Sequence, residues 1–157
     1  MNRPIALACI ALSVVGSVAG AQVTDADRIA VLSAAIGQAG RFLPAGSSAI
    51  GFADTVPISN ALGNEIARNV GYDFGSVRSA RVCAGGALPG DCHLSGVRSF
   101  LQVTRLRFSA DTAEVLMTLL DETASKRQPI HYQFVRVIVA RRESSWAVAR
   151  SQLLAET

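Results

Sequence analysis

The second half of the chain alternates long apolar segments with short polar connections, and this pattern constrains the fold more than any other feature. The segment 130–140 is the richest in β-branched and aromatic residues, and 113–120 and the segment after Trp146 share this character. Such residues favour strands. Strands joined by a few polar residues are antiparallel neighbours, because parallel strands need a long crossover. We therefore predict an antiparallel meander, preceded by strands at 48–53, 77–83 and 94–108.

The apolar phase changes inside one of these predicted strands. Leu101 and Val103 share one parity, whereas Leu106 and Phe108 share the other. Because side chains alternate between the two faces of a strand, a regular strand cannot bury both pairs on one face. We predict a β-bulge or a strong bend near Thr104, which would curl the sheet around a helix.

Two segments near the start of the chain carry apolar residues at helical spacing. The first begins at Thr24, a residue suited to an N-cap, and ends at Gly40 or Gly46, with Pro44 between them. The second is predicted to begin at 54–57, with Asp54 as its cap, and to end at Gly71, which can adopt the left-handed conformation. Helices followed by strands indicate an α+β domain, with the N-terminal helices packed on a curved, mainly antiparallel sheet of four to six strands.

The final predicted hairpin has a charged turn, Arg142-Glu143-Ser144-Ser145, followed by Trp146-Ala147-Val148. Together with the order of helices and strands, this hairpin resembles the nuclear-transport-factor-2-like group of cone-shaped domains in the cystatin-like α+β superfamily. The resemblance implies a cavity between the helices and the sheet. It transfers no functional residue, because the group includes isomerases, dehydratases and domains without known activity.

Residues 1–21 have the three parts of an export signal. Arg3 supplies the positive charge, 5–18 is apolar and uncharged, and Ala19-Gly20-Ala21 places small residues before a cleavage point. An uncleaved anchor is the alternative, but a membrane-spanning helix needs about 20 apolar residues and this run is shorter. We predict a single domain at 22–157, without a membrane span after cleavage, in the periplasm or outside the cell.

Charge and motifs narrow the function classes. Without Arg3, the 15 basic residues of the chain become 14, against 12 acidic ones, which is too small an excess to indicate nucleic-acid binding. The sequence lacks the Gly-x-Ser-x-Gly run of a nucleophile elbow and the Lys-containing Gly-rich loop that binds phosphates. We expect no cofactor.

Two cysteines remain once the leader is removed. An even pair, Cys83 and Cys92, in an exported protein predicts a disulfide. Closing a ring of about ten residues would stabilise the fold by roughly 2.5–3 kcal/mol. The alternative is a zinc site that adds His93 and His131 to the two thiolates. Because the spacing matches no known zinc module, we expect no metal.

Four side chains are candidates for acid–base chemistry: Asp54, Tyr72, Asp73 and His131. A carboxylate in an apolar cavity beside a Tyr donor supports proton transfer next to a carbonyl group. His131, at the start of the strongest strand, is a candidate general base if it has an orienting partner and an open pocket. The structural alternatives are a helix cap for Asp54, a turn for Asp73 and a surface histidine at a strand end.

The predicted sheet also carries several arginines, and a curved sheet can bring them together as an anion site. The alternative is a solvated outer face with cross-strand pairs, for which Glu114 is available. The candidates for ligand binding are Arg105, Arg136 and Arg150, with Arg98 and Arg107 nearby.

We favour a non-catalytic exported domain that binds a small molecule or an envelope protein. The sequence is also compatible with a homodimer. The alternative is a small cavity enzyme of the isomerase or dehydratase type that uses a carboxylate and Tyr72. The two differ in whether a cavity brings a carboxylate next to a hydrogen-bond donor.

Overall fold

A computed structural model describes residues 22–83, 92–122 and 130–156. The predicted leader and the loop between the two cysteines (84–91) lie outside the described residues. Within them, three helices precede or interrupt eight strands, in the following order: α1 (Asp25–Ala39), β1 (Ser48–Phe52), α2 (Asn60–Val70), β2 (Asp73–Phe74), α3 (Val77–Ala80), β3 (Arg81–Cys83), β4 (Cys92–Leu94), β5 (Ser99–Ser109), β6 (Thr112–Glu122), β7 (Ile130–Arg142) and β8 (Ser145–Glu156).

Six of these strands form one sheet in the order β2-β1-β5-β6-β7-β8. Strands β5 to β8 form the predicted antiparallel meander. Strand β1 is parallel to both of its neighbours, β2 and β5, and β3 and β4 form a separate antiparallel pair. The predicted α+β class, with helices on a mainly antiparallel sheet, is therefore confirmed. In the described residues, no helix is both long and apolar enough to cross a membrane.

Helix α1 begins and ends as predicted. The Thr24 hydroxyl accepts a hydrogen bond from the Asp27 amide at 3.1 Å, and the Asp27 carboxylate in turn accepts from the Thr24 amide, which makes a capping box. The helix ends at Ala39, where Gly40 begins a short 3-10 turn (Gly40–Phe42). The side facing the sheet is fully buried at Leu32 and Ile36.

The predicted start of α2 is wrong. The helix begins at Asn60, and its cap is Ser59, whose hydroxyl accepts a hydrogen bond from the Leu62 amide at 3.3 Å. Proline disfavours helical backbone in the residue before it, so Pro57 opposes a helix that runs through Val56. Gly71 ends the helix in the left-handed conformation, with φ of 74°, as predicted.

Two predicted strands are shorter than expected. The segment 77–83 splits into α3 and β3, because Ser76 and Ser79 form a reciprocal capping box that starts a helical turn. The segment 94–108 splits into β4 and β5, with Gly96 at a φ of 77° between them. Periodicity shows neither break, because both arise from local hydrogen bonding and backbone conformation.

The predicted bulge lies at Thr104. Val103 pairs with Met117 and Arg105 with Leu116, so Thr104 is the extra residue of β5. Its hydroxyl donates to the Leu116 carbonyl at 3.1 Å. After the bulge, the even-numbered residues of β5 face the helices and the arginines face the opposite side.

The sheet buries both of its faces in part. The face toward α1 and α2, which we call the inner face, is packed with fully buried side chains that include Val115, Met117 and Val137. On the opposite, outer face, the β3–β4 pair and α3 cover Phe100 and Leu120. Elsewhere on the outer face, the described residues are partly or fully exposed, as at Arg105, Glu114 and Arg136. Each fully buried Val or Leu contributes about 1.5–3 kcal/mol, so the packed inner face supplies much of the stability.

Candidate functional site

A lateral cleft of about 620 Å³ lies where β1 leaves the sheet. Three segments build it: the chain from the end of β1 to the first turns of α2, the end of β2, and the residue that caps α3. The lining residues are Phe52, Ala53, Asp54, Val56, Pro57, Ile58, Asn60, Asn64, Phe74, Gly75 and Ser76.

Two phenylalanines form the aromatic wall of this cleft. Strand β2 lies beside β1 because Ile50 pairs with Phe74 and the Gly75 amide donates to the Ile50 carbonyl at 2.9 Å. This pairing places the ring centroids of Phe52 and Phe74 6.1 Å apart, with the rings tilted by 43°. Gly63 of α2 lies directly against the Phe74 ring, where an added Cβ would be 2.5 Å from two ring carbons. The missing side chain therefore allows the helix to approach the aromatic wall.

Asp54 lies on a turn that the sheet holds in place. The Ala53 amide donates to the Val103 carbonyl at 2.9 Å, and the Thr55 hydroxyl donates to the Thr104 carbonyl at 2.9 Å. The Asp54 side chain is exposed and makes no hydrogen bond or ion pair with any described residue. The alternative role of Asp54 as the cap of α2 is therefore wrong, because Ser59 fills it. The Asp54 carboxylate remains available to a ligand.

The structure separates Asp54 from the other acid–base candidates. Tyr72 packs against the core at the far end of α1. There, a Cβ added to Gly40 would collide with the Tyr72 hydroxyl. Burial raises the pKa of that hydroxyl. Asp73 is exposed on the edge strand β2. Neither residue lines the cleft. The carboxylate–tyrosine pair that an isomerase would need is not assembled around Asp54.

His131 connects three strands of the sheet. Its Nδ1 lies 3.2 Å from Asp121 Oδ1 and its Nε2 lies 3.2 Å from Glu156 Oε1. The His131 ring on β7 therefore lies between a carboxylate of β6 and a carboxylate near the end of β8. Since both nitrogens already have partners, His131 is not positioned as a zinc ligand with His93. Among the described residues, no group of three or more potential metal ligands is close enough to hold an ion.

The two cysteines lie opposite each other, Cys83 on β3 and Cys92 on β4. The Ser95 amide donates to the Ala80 carbonyl at 2.7 Å, which makes those two residues a hydrogen-bonded pair. Pair types alternate along an antiparallel ladder, so the cysteines occupy a non-hydrogen-bonded pair. Such pairs have Cα atoms about 4.5 Å apart, within the range of about 4.4–6.8 Å that a disulfide spans.

Arg136 and Arg150 come together on the outer face, whereas Arg105 lies two strands away from Arg136. A small pocket of about 70 Å³ is lined by Arg136, Ile138, Arg150 and Gln152. The Arg136 Nε lies 2.5 Å from the Glu114 carboxylate, which is the pairing that the sequence allowed.

Sequence reasoning missed most of the cleft. Asn60 and Asn64 lie one helical turn apart on the exposed side of α2, and this spacing is a readable signal. Phe52 and Phe74 come from distant segments, and no local pattern indicates that they meet. The chain shows no significant similarity to any known protein family, to any curated protein or to any solved structure.

Proposed function

We propose that the protein is a non-catalytic, exported binding domain, and that the cleft beside Asp54 binds a neutral polyhydroxylated ring such as a sugar. One observation carries the proposal: an unpartnered carboxylate lies next to a pair of phenylalanine rings in a cleft of about 620 Å³. Small-molecule sites are typically clefts of about 300–1,000 Å³ in which a few polar groups orient the ligand beside apolar walls.

The lining matches the two kinds of surface that a sugar ring presents. Its C–H groups form apolar patches that pack on aromatic rings, here Phe52 and Phe74. Its hydroxyl groups donate to carboxylates and exchange hydrogen bonds with amides, here Asp54, Asn60 and Asn64. A purely apolar ligand fits less well, because it would bury the Asp54 carboxylate without a partner.

Charge favours a neutral ligand over a charged one. Asn60 is the first residue of α2, so the positive end of the helix dipole lies at the cleft and offsets the Asp54 charge. A cation gains little from such a mixed field, and an anion is repelled by the carboxylate. A neutral ligand with several hydroxyl groups uses both the helix end and Asp54.

Asp54 is the only carboxylate among the residues that line the cleft. Glycoside hydrolysis ordinarily needs two carboxyl groups, one on each side of the bond that breaks. The single carboxylate, and the position of Tyr72 at the far end of α1, therefore favour binding over catalysis.

Export and a disulfide bond form part of this proposal. We propose that the leader 1–21 is removed, that the domain at 22–157 acts in the periplasm or outside the cell, and that Cys83 and Cys92 form a disulfide there. The opposed positions of the two cysteines on β3 and β4 support the bond. N-terminal sequencing should begin at Gln22, and the intact mass should show thiol alkylation only after reduction. Retention of the leader, or alkylation without reduction, would contradict these points.

We also propose that the domain is related to nuclear-transport-factor-2-like domains and that it forms a homodimer. The helices-then-meander order supports the first. Light scattering of the exported protein tests the second.

The ligand proposal is tested by screening the exported protein on a glycan array and measuring each hit by calorimetry. Asp54→Ala should weaken binding by about 10- to 150-fold, because it removes hydrogen bonds to a charged acceptor worth about 1.5–3 kcal/mol. The matched control is Asp111→Ala, an exposed carboxylate in the β5–β6 turn, which should bind like the wild type. Equal losses in both variants, or no hit on the array, would overturn the assignment.

A further inference from the structure

The outer face of the sheet carries a second site, which is distinct from the Asp54 cleft. Strands β7 and β8 place Ile138 opposite Arg150, and Arg136 opposite Gln152. These four side chains line the pocket of about 70 Å³. Since β8 is the edge strand of the sheet, this pocket lies at the border of the open outer face.

A bulge in β8 determines the direction of Arg150. Val148 pairs with the buried Val139, and Arg150 pairs with Ile138, so Ala149 is the extra residue. In a regular strand that kept Ala149 and had no bulge, the alternation from Val148 would turn Arg150 toward the inner face. Bulges are frequent where a strand must redirect a side chain. The Thr104 bulge likewise directs Arg105 and Arg107 to the outer face. Two bulges, one in β5 and one in β8, therefore bring arginines to the same face of the sheet.

The charges on this face are unbalanced. Arg136 is held by Glu114 through its Nε, which leaves its two terminal nitrogens without a hydrogen bond to any described residue. Arg105, Arg107 and Arg150 make no ion pair with the described part of the chain. Cations on neighbouring strands repel each other, so a bound anion stabilises Arg136 and Arg150 side by side.

We propose that Arg136, Arg150 and Gln152 form a binding site for a single carboxylate group. Two arginines and Glu114 give the pocket one net positive charge, which matches a monoanionic group. Its volume holds one functional group rather than a whole ligand. The free guanidinium edge of Arg136, the Arg150 guanidinium and the Gln152 amide supply donors to both carboxylate oxygens. Ile138 offers an apolar surface to the carbon that bears the carboxylate.

The experiment follows the side-chain Nε–Hε signals of the arginines by NMR while acetate is added to the exported protein. The expected result is a saturable shift of Arg136 and Arg150, with Arg107 unaffected. Arg150→Gln should weaken acetate binding about tenfold, the loss of one charge-assisted hydrogen bond. The control variant is Arg107→Gln. Both variants should fold, because each substitution changes an exposed side chain.

The control variant should bind acetate as the wild type does. Equal shifts at Arg107 and Arg150 would show diffuse attraction to a basic face and would overturn the site. A parallel titration with inorganic phosphate tests the choice of anion, and tighter binding of phosphate than of acetate would overturn the carboxylate assignment. The Asp54→Ala variant should bind acetate normally, so the two proposed sites can fail independently.

Discussion

The indole Nε1 of Trp146 donates a hydrogen bond of 2.8 Å to Asp27 Oδ1, and so connects the start of the last strand to the first turn of α1. The same oxygen accepts a hydrogen bond of 2.6 Å from Arg141, whose guanidinium carbon lies 4.7 Å from the centroid of the Trp146 ring. Phe108 completes the group with an edge-on contact, its ring centroid 5.9 Å from that of Trp146. These contacts hold the β7–β8 hairpin against α1.

This arrangement makes stability depend on pH in the acid range. The Trp146 hydrogen bond, with the bonds from Thr24 and the Arg141 charge, lowers the pKa of Asp27 from its ordinary 3.8 to about 2. A carboxylate with a lowered pKa stabilises the fold above its unfolded-state pKa, and this contribution disappears as the pH falls from about 4 to about 2. Asp27→Asn should remove that part of the pH dependence. Urea unfolding of both proteins at several pH values measures this effect. Unfolding free energies that change in parallel with pH in the wild type and in Asp27→Asn would contradict the prediction.

Two glycines should respond in opposite directions to the same substitution. A Cβ on Gly51 would lie 2.5 Å from the Gly75 carbonyl oxygen and 2.8 Å from the Phe100 ring, and the backbone has little room to move. Gly51→Ala should cost about 1–3 kcal/mol of unfolding free energy. Gly37 lies inside α1 with no atom near an added Cβ, so Gly37→Ala should stabilise by about 0.5–1 kcal/mol. Urea midpoints that shift in the same direction would contradict the account.

Gly63 links α2 to the proposed ligand cleft. Alanine at this position would displace the Phe74 ring, although it also gains about 0.5–1 kcal/mol of helix stability. We therefore expect Gly63→Ala to weaken binding of the glycan hit more than it lowers thermal stability. Calorimetry and a melting curve on the same sample measure both quantities. Unchanged affinity would show that the ligand does not touch Phe74.

The Thr104 bulge gives a graded pair of variants. Deleting Thr104 should leave Leu106 and Phe108 facing the helices, because Arg105 then follows Val103 directly in the existing register with β6. The deletion should cost about 1–3 kcal/mol, because the hydrogen bonds of Thr104 with Leu116 and Thr55 are lost. Thr104→Val keeps the bulge and loses only the hydrogen bond to Leu116, which should cost about 0.5–1.5 kcal/mol. Denaturant unfolding separates the two cases. A deletion that costs much more than about 3 kcal/mol, as loss of the packing of Leu106 and Phe108 would, would show that Thr104 is not simply an extra residue in β5.

The sequence predicts the features that depend on neighbouring residues. Thr24 and Gly71 mark helix ends because capping is local, and the phase change around Thr104 locates the bulge because strand alternation is local. The parallel pairing of β1 with β5 joins Ile50 to Leu101, and nothing in either segment specifies the direction. The cleft depends on that pairing, since Asp54 follows β1.

Asp54 itself was identified from the sequence as a candidate, but with Tyr72 as its partner. The structure gives it Phe52, Phe74 and the amides of α2 instead. A site assembled from three separate segments is determined by tertiary packing, which periodicity and spacing do not encode.

The central claim is that the cleft beside Asp54 binds a neutral sugar ring. The most direct measurement is a set of two-dimensional amide NMR spectra of the protein, recorded as methyl glycosides of several hexoses and N-acetylhexosamines are added. We expect at least one of them to cause saturable shifts that cluster at 52–64 and 74–76, with the outer-face arginines unchanged. The absence of saturable shifts in those segments for every glycoside, or shifts centred elsewhere, would contradict the claim.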